Sequence, residues 1–239
     1  MNNSKTSSAW VLGLCLVLGL SALGYLLGNA AIRYKEYERT VTVKGLSERE
    51  YPADIVIWPV QFTTVSNDLT ELYATLEKSA DQIRDYLLSS GVESGEISLS
   101  APLITDKAAQ QWGDNRAAEF RYLATQTLTV YSTNVKDVRN TMGGLIDLGK
   151  QGIVFSGDAY QNQVQYLFIR LNDIKPEMIE EATTAAREIG LKFANDSNSK
   201  LGKIRKASQG QFSIEPRDTN NPQIKKIRVV STVEYYLSD

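Results

Sequence analysis

Apolar residues along this chain recur with two different spacings, one typical of helices and the other typical of strands. Three stretches repeat apolar side chains every three or four positions, which predicts amphipathic helices beginning at Asn67 or Asp68, near Asn134 and near Asn172. Between them, apolar and polar residues alternate, as in a half-buried strand, most clearly in residues 55–66. The chain is therefore predicted to contain both strands and helices, which follow one another along the sequence.

The helical spacing also predicts which face of each helix lies in the core. In the first helix the predicted core face consists of Leu69, Leu72, Tyr73, Leu76, Ala80, Ile83 and Leu87, with Gly91 as the stop. In the second it consists of Val135, Val138, Met142, Leu145 and Ile146. In the third it consists of Met178, Ile179, Ala182, Ala186, Ile189 and Phe193.

The order of these elements predicts an α+β fold in which three main helices cover an antiparallel sheet. Strands follow one another in pairs with no helix between them, which favours antiparallel pairing. The first two predicted strands form a hairpin turning near Ser47–Pro52, and Pro59 is expected at an edge, a bulge or an unpaired donor position. Because no internal repeat or linker is visible, residues 40–239 are predicted to form one domain.

A long apolar segment precedes this domain. Residues 10–28 contain no charged side chain, and a helix of that length would span roughly 28 Å, close to the hydrocarbon core of a bilayer. The length favours a transmembrane anchor over residues 10–32, with residues 1–9 before it and a charged linker at 33–39. Two alternatives remain: a cleaved signal segment, for which Gly28-Asn29-Ala30 is a passable cleavage site, and a buried core helix.

Composition removes several kinds of chemistry. The chain has no histidine, and its one cysteine, Cys15, lies inside the apolar segment. The commonest general base, the commonest metal ligand and an activated thiolate are therefore missing from the predicted domain. A net charge of −2 gives no electrostatic reason to expect a nucleic-acid partner. We expect no cofactor and no catalytic site.

Two features are candidate contact surfaces. Trp112 lies in a polar loop, where an exposed tryptophan could anchor an interface or fold back onto its own domain. If the last two strands pair, their basic residues could form one patch for a phosphate or an anionic lipid. Those residues are Lys203, Arg205, Lys206, Lys225, Lys226 and Arg228. The same charges are equally typical of a solvated strand that discourages edge-to-edge pairing.

One apparent phosphate-binding motif is rejected because of its position in the predicted structure. Residues 144–150 spell GxxxxGK, but the segment closes a predicted helix, whereas a phosphate-binding loop follows a strand and opens a helix. Gln151 also stands where a magnesium-binding Ser or Thr is needed. The segment is interpreted as a helix end with Gly149 as the stop. Serine–lysine hydrolase chemistry remains an alternative that no spacing specifies.

The segments resemble the SIMPL-domain family in their order and local sequence. The resemblance starts at TVTVKGLSEREYPADIVIWPV, with a Val/Thr-rich strand and a Pro-x-Asp motif, and continues through LLSSGVESGEISLS. It ends with AREIGLKFANDSNSKLGKIRKASQG and RVVSTVEYYL, so it covers about residues 40–239.

The resemblance carries expectations about location and role. Bacterial members are secreted or envelope proteins associated with envelope or oxidative-stress defence, and some resemble ring-like homo-oligomers. It implies a protein anchored in the inner membrane with its domain in the periplasm, or cleaved and periplasmic, that forms homo-oligomers and contacts an envelope partner. It also implies a cytoplasmic N-terminus, whereas the positions of Lys5, Arg33 and Lys35 favour the opposite orientation. An adaptor or lipid-binding module using the basic strands is the alternative function.

Overall fold

The computed structural model describes residues 3–36, 39–109, 119–156 and 163–238. The fold is α+β with antiparallel strand pairing, as the order of the elements predicts. An apolar N-terminal helix, α1 (Asn3–Glu36), precedes the strands. The other helices are α2 (Leu69–Ser89), α3 (Val135–Met142), α4 (Leu145–Lys150) and α5 (Leu171–Asp196). The strands are β1 (Thr40–Pro52), β2 (Ile55–Ser66), β3 (Ile97–Leu99), β4 (Leu103–Asp106), β5 (Tyr122–Ser132), β6 (Val154–Phe155), β7 (Gln165–Leu167), β8 (Lys200–Gln209), β9 (Ser213–Pro216) and β10 (Ile224–Ser238).

The chain divides into two compact units, each discontinuous in sequence. The first contains residues 1–48, 175–213 and 228–239, and the second contains residues 49–174 and 214–227. The described strands form two sheets, where one sheet over residues 40–239 was expected. One sheet has the order β1-β10-β8 with β9 also on β10, and the other has the order β3-β5-β2-β6 with β4 on β5 and β7 on β2.

In the first unit, α5 packs on the sheet through small residues. Ala186 is buried with Val43, Val233 and Tyr235, and Val41 and Leu201 pack around this cluster. The approach is closest at Gly45, where a Cβ atom would lie 1.8 Å from the backbone oxygen of Ala182. A larger side chain cannot fit there, because the obstructing atoms belong to helix backbone.

This close approach changes which face of α5 is buried. The buried residues are Met178, Ala182, Ala186, Gly190 and Ala194. Ile189 and Phe193, which the helical spacing assigned to the core, are exposed. The prediction for these two residues was wrong because large apolar side chains normally face the core, whereas this helix lies too close to the sheet to accommodate them.

In the second unit, β2 and β5 form the centre of the sheet and α2 covers it. The eleven-residue antiparallel register runs from Val56 opposite Ser132 to Ser66 opposite Tyr122. The alternating residues of β2, Val56, Trp58, Val60 and Phe62, are buried, with Val56 and Phe62 fully so. On α2 the residues that meet this face are Leu72, Leu76, Ala80, Ile83 and Leu87. Leu69 and Tyr73, also predicted for that face, are exposed.

The ends of α2 and α3 follow from their sequence. The carboxylate of Asp68 accepts the backbone N–H of Glu71 at 2.8 Å, which caps the first turn of α2. Gly91 takes a positive φ of 94° just after the helix, as the predicted stop requires. Asn134 likewise caps α3. These local signals are confirmed.

Pro59 occupies a position where none of the described strands needs its missing N–H. On one side β2 pairs with β5, and on the other side it pairs with β7 through residues 55–57 and with β6 through residues 62–63. Pro59 falls between those two short pairings, and no described strand residue stands opposite it on that side. Within the described strands, this arrangement fits the predicted unpaired donor position.

Four local expectations are corrected by the structure. The expected hairpin at Ser47–Pro52 does not form, because β1 pairs with β10 while β2 lies in the other sheet. The second helix is interrupted at Gly143-Gly144, which separates α3 from α4. The stop after α4 is Gly152, with a positive φ of 97°, and not Gly149. In addition, α1 continues to Glu36, into the region expected to be a linker.

Candidate membrane anchor and contact surfaces

The N-terminal helix exposes apolar side chains on all of its described faces. Residues Leu12–Lys35 form a span of 24 residues with a mean hydropathy of 1.8, none of it buried against the rest of the protein. At 1.5 Å per residue this span is about 36 Å long, enough to cross a hydrocarbon core of about 30 Å. The structure contradicts the alternative of a buried core helix, while a signal segment has the same properties as an anchor.

Aromatic and basic side chains lie near the two ends of this helix. Trp10 and Tyr34 are exposed near opposite ends, and Arg33 and Lys35 lie in the last turn. Aromatic rings prefer the interface between water and lipid. Long basic side chains keep their methylene groups in the apolar region and extend their charge into the water. Cys15 is exposed within the apolar span, so its thiol belongs to the helix surface and not to a site in the folded body.

Arg39 follows α1 and is held against one end of the first unit. Its backbone oxygen accepts the N–H of Leu237 at 2.9 Å. Its Nη2 donates to the Oγ of Ser199 at 3.1 Å. Ser199 follows α5, and its own N–H bonds to the backbone oxygen of Ala194 at 2.8 Å. The start of β1, the end of α5 and the end of β10 therefore meet at one end of the unit.

The predicted basic patch is only partly assembled. Strands β8 and β10 pair antiparallel, as the patch requires, with Lys206 opposite Glu234. Arg205 donates to the same Glu234 at 2.9 Å, so an acidic partner lies within the β8 part of the patch. Arg228 lies before Ser231, the first residue of β10 in this pairing, and Lys225 and Lys226 belong to the second unit.

Lys225 does not point in the direction that a surface patch needs. It lies on the same face of β10 as the buried Ile227 and Val229, and only 8% of it is exposed. Burial lowers the pKa of its amine, and no carboxylate among the described residues pairs with it. Its neighbour Lys226 lies on the other face of the strand. The roles of Lys203, Arg205, Lys206, Lys226 and Arg228 as contact residues stay predictions, and Trp112 lies outside the described residues.

The second unit carries an open groove of about 760 Å³ beside β7. Tyr166, Pro216 and Pro222 contribute apolar side chains to its lining, and the polar lining residues are Gln163, Glu215, Asp218 and Thr219. The Asp218 carboxylate accepts the backbone N–H groups of Asn220 and Asn221 at 2.9 and 2.8 Å. The Nε of Arg217 also donates to it at 2.8 Å.

The chemistry of this groove is limited by those bonds. The hydrogen bond from Arg217 lowers the pKa of Asp218, so the carboxylate stays ionised and serves to hold the turn. Burial raises the pKa of Tyr166, which keeps its phenol neutral at physiological pH. Neither group is arranged as a nucleophile beside a base. Across the described ranges no cluster of three metal-binding side chains is found either.

A comparison with models of protein families matches residues 41–235 to SIMPL, described as a protein of unknown function (DUF541). The chain belongs to the SIMPL family. The SIMPL match begins in β1 and ends in β10, so it covers parts of both compact units and leaves α1 outside. No curated protein is significantly similar to the chain.

Sequence reasoning found the family and the apolar helix but missed the exposed end of α5. Phe193 is 54% exposed, although its helical spacing assigned it to the core. The available signal was the run of small residues at Ala182, Ala186, Gly190 and Ala194, each four positions apart. Such a run is typical of a helix that packs very closely on its neighbour, which leaves its large side chains outside.

Proposed function

We propose that α1 holds the SIMPL domain at a membrane and that the domain works by contact and not by catalysis. The observation that carries this proposal is the apolar surface of α1, which extends over 24 residues and is not covered by the described part of the protein. Exposure of such a surface to water is unfavourable, because burial of apolar area stabilises by about 25 cal/mol per Å². A bilayer supplies the missing cover.

Membrane fractionation with intact-mass analysis tests the anchor. We expect the membrane fraction to contain a product at the full mass of 26.6 kDa, which salt does not release and detergent does. Changing both Leu16 and Leu20 to Arg places two charges in the span and costs about 5 to 7 kcal/mol of insertion free energy. That double variant is expected in the soluble fraction or degraded.

Leu69→Arg is the matched control, because this leucine is exposed on α2, outside α1. It should stay in the membrane fraction. A soluble product that has lost α1 would contradict the anchor and favour a cleaved signal segment.

Work by contact is supported by the residue inventory and by exposed strand surface. The chain has no histidine and its one cysteine lies in α1, so the usual nucleophile–base pairs cannot be built in the domain. Strand β8 is exposed along most of its length and carries the exposed apolar side chain Ile204. We propose a homo-oligomer with its domain in the periplasm. The role in oxidative or envelope stress stays a prediction from the family resemblance.

Native mass measurement of the detergent-solubilised chain tests the assembly. We expect a defined multiple of the single-chain mass that persists on dilution. Ile204→Glu should reduce it to single chains, because a charge in an apolar contact lacks a partner. Ser208→Glu, on the same strand outside the apolar position, should leave it intact. Single chains at every concentration would contradict the oligomer and leave the anchor untouched.

A further inference from the structure

The end of α5 exposes large apolar side chains beside the point where the chain leaves α1. Phe193 is 54% exposed and Ile189 is 37% exposed. They lie four residues apart, so they project from the same side of the helix. A phenylalanine on the surface of a soluble protein costs hydration free energy unless something covers it.

Covalent geometry fixes how far this end of the unit can lie from the anchor. Helix α1 ends at Glu36, and β1 is already held at Arg39. Three residues of extended chain reach at most about 11 Å. Whatever the angle of α1, Arg39 must therefore lie within about 11 Å of the end of the membrane-spanning helix.

Hydrogen bonds connect Arg39 to the turn that carries Phe193. Arg39 bonds to Ser199 at 3.1 Å. Two residues earlier, the backbone N–H and the Oγ of Ser197 both donate to the backbone oxygen of Phe193, at 3.2 and 3.0 Å. The turn that presents Phe193 is thus part of the same end of the first unit as the start of β1.

We propose that this end of the first unit rests on the bilayer, with Phe193 and Ile189 inserted at the boundary between headgroups and acyl chains. The proposal rests on the anchoring function proposed above. Since α1 spans about 36 Å, its last turn is at headgroup level, where Arg33 and Lys35 favour anionic lipid. Phenylalanine and isoleucine are side chains that surface-bound helices bury in the interface, and Lys192 beside them can reach the phosphates.

Two contacts instead of one would restrict the motion of the domain. A single helix with a short link lets a soluble body tilt on the membrane, whereas a second apolar contact fixes which side of the first unit faces the lipid. Strand β8 begins at Lys200, directly after this end, and would then rise away from the surface. The exposed surface of β8 that is proposed for assembly would be presented to other copies in a common orientation.

Site-directed spin labelling of the full chain tests the inference. Cys15 is the one cysteine of the sequence, so Cys15→Ser gives a background in which a single new cysteine can carry the label. Labels are placed by Phe193→Cys, Leu20→Cys and Leu46→Cys in separate proteins. Each is reconstituted into vesicles of phosphatidylcholine and phosphatidylglycerol, and collision rates with oxygen and with a water-soluble nickel chelate are measured.

Leu20 and Leu46 are reference positions for the label at Phe193. Leu20 lies within the span of α1 and reports the bilayer interior. Leu46 is an exposed apolar residue of the same unit at 45%. Its neighbour Ser47 donates a hydrogen bond to Glu181 on α5. Glu181 lies more than three helical turns before Phe193, so Leu46 is expected far from the end of α5. We expect oxygen collisions to outnumber nickel collisions at Leu20 and Phe193, and the reverse at Leu46.

Each other outcome has a definite meaning. A label at Phe193 as open to nickel as the label at Leu46, with Leu20 still in the bilayer, overturns this inference and leaves the anchor standing. A label at Leu20 that is open to nickel overturns the anchor and the inference together. Exclusion of both reagents at Phe193 means that protein covers it, which also overturns lipid contact.

A second variant guards against disturbance by the label itself. With the label placed by Ile189→Cys, adding Phe193→Glu should raise nickel access, because a carboxylate at the interface opposes insertion. Adding Phe193→Leu should leave it unchanged. Equal nickel access in both variants would count against insertion of this turn.

Discussion

Replacing Gly45 by alanine is expected to lower the free energy of unfolding by about 3 kcal/mol. The new Cβ would lie 1.8 Å from the backbone oxygen of Ala182 and 2.5 Å from the backbone nitrogen of Ala186. Both atoms belong to the helix backbone and cannot move by a rotamer change, so β1 or α5 must shift. The shift would also disturb the cluster in which Val43 and Ala186 are buried. Urea unfolding of the detergent-solubilised chain measures the change.

Two other glycines serve as controls for this prediction. Gly149 lies in α4 with open space around it, so Gly149→Ala should be neutral or stabilise by up to about 1 kcal/mol through helix propensity. A Cβ at Gly190 would meet the side chain of Leu201 at 3.3 Å, and Leu201 can adjust. Gly190→Ala should therefore cost much less than Gly45→Ala. An unchanged urea midpoint for Gly45→Ala would show that β1 does not approach α5 this closely.

Removing the carboxylate of Asp54 is expected to cost about 2 to 4 kcal/mol. Its side chain is only 13% exposed. It accepts the backbone N–H groups of Ile169 and Arg170 at 2.9 and 3.3 Å and the Nε of Arg170 at 2.6 Å. Because α5 begins at Leu171, the carboxylate also lies at the positive end of that helix. Asp54→Ala leaves all three donors without this acceptor.

Asp54→Asn separates shape from charge. The amide keeps one oxygen that can accept a backbone N–H but loses the ion pair, so an intermediate cost is expected. Asp147→Ala is the matched control, since Asp147 pairs with Lys150 on the surface with both side chains 71% exposed. It should change the free energy by less than about 0.5 kcal/mol. Equal thermal midpoints for Asp54→Ala and Asp147→Ala would contradict a structural role for Asp54.

Asp54 also shows how a sequence motif can be noticed before its purpose is known. Pro52 and Asp54 form the Pro-x-Asp motif that contributed to the family resemblance. The spacing says nothing about the partner, because Arg170 lies 116 residues away along the chain. Once the fold brings the start of β2 beside the start of α5, the carboxylate becomes the acceptor for that turn.

The sequence predicted the membrane anchor well and the basic patch only in part. The apolar segment needs only composition and length, and the structure forms it as one uninterrupted helix. The basic patch needed a strand register, and the register places Lys206 opposite Glu234. Lys225 required knowledge of which face of β10 is buried. Spacing along a strand gives two faces but cannot say which of them meets a helix.

Local physics determined much of this protein from its sequence. The helix caps at Asp68 and Asn134, the stop at Gly91, the alternation of β2 and the apolar length of α1 each depend on neighbours a few residues away. Such signals survive in any fold, which is why the α+β class, the antiparallel pairing and the family could be read directly.

Only the tertiary structure decided which strands share a sheet and which face of α5 is hidden. β1 and β2 are consecutive and looked like a hairpin, yet each finds its partners in a different sheet. Phe193 has the spacing of a core residue, yet the contact at Gly45 admits only small side chains and turns it outward. Both outcomes depend on distances between residues far apart in sequence, and a periodic pattern carries no measure of those distances.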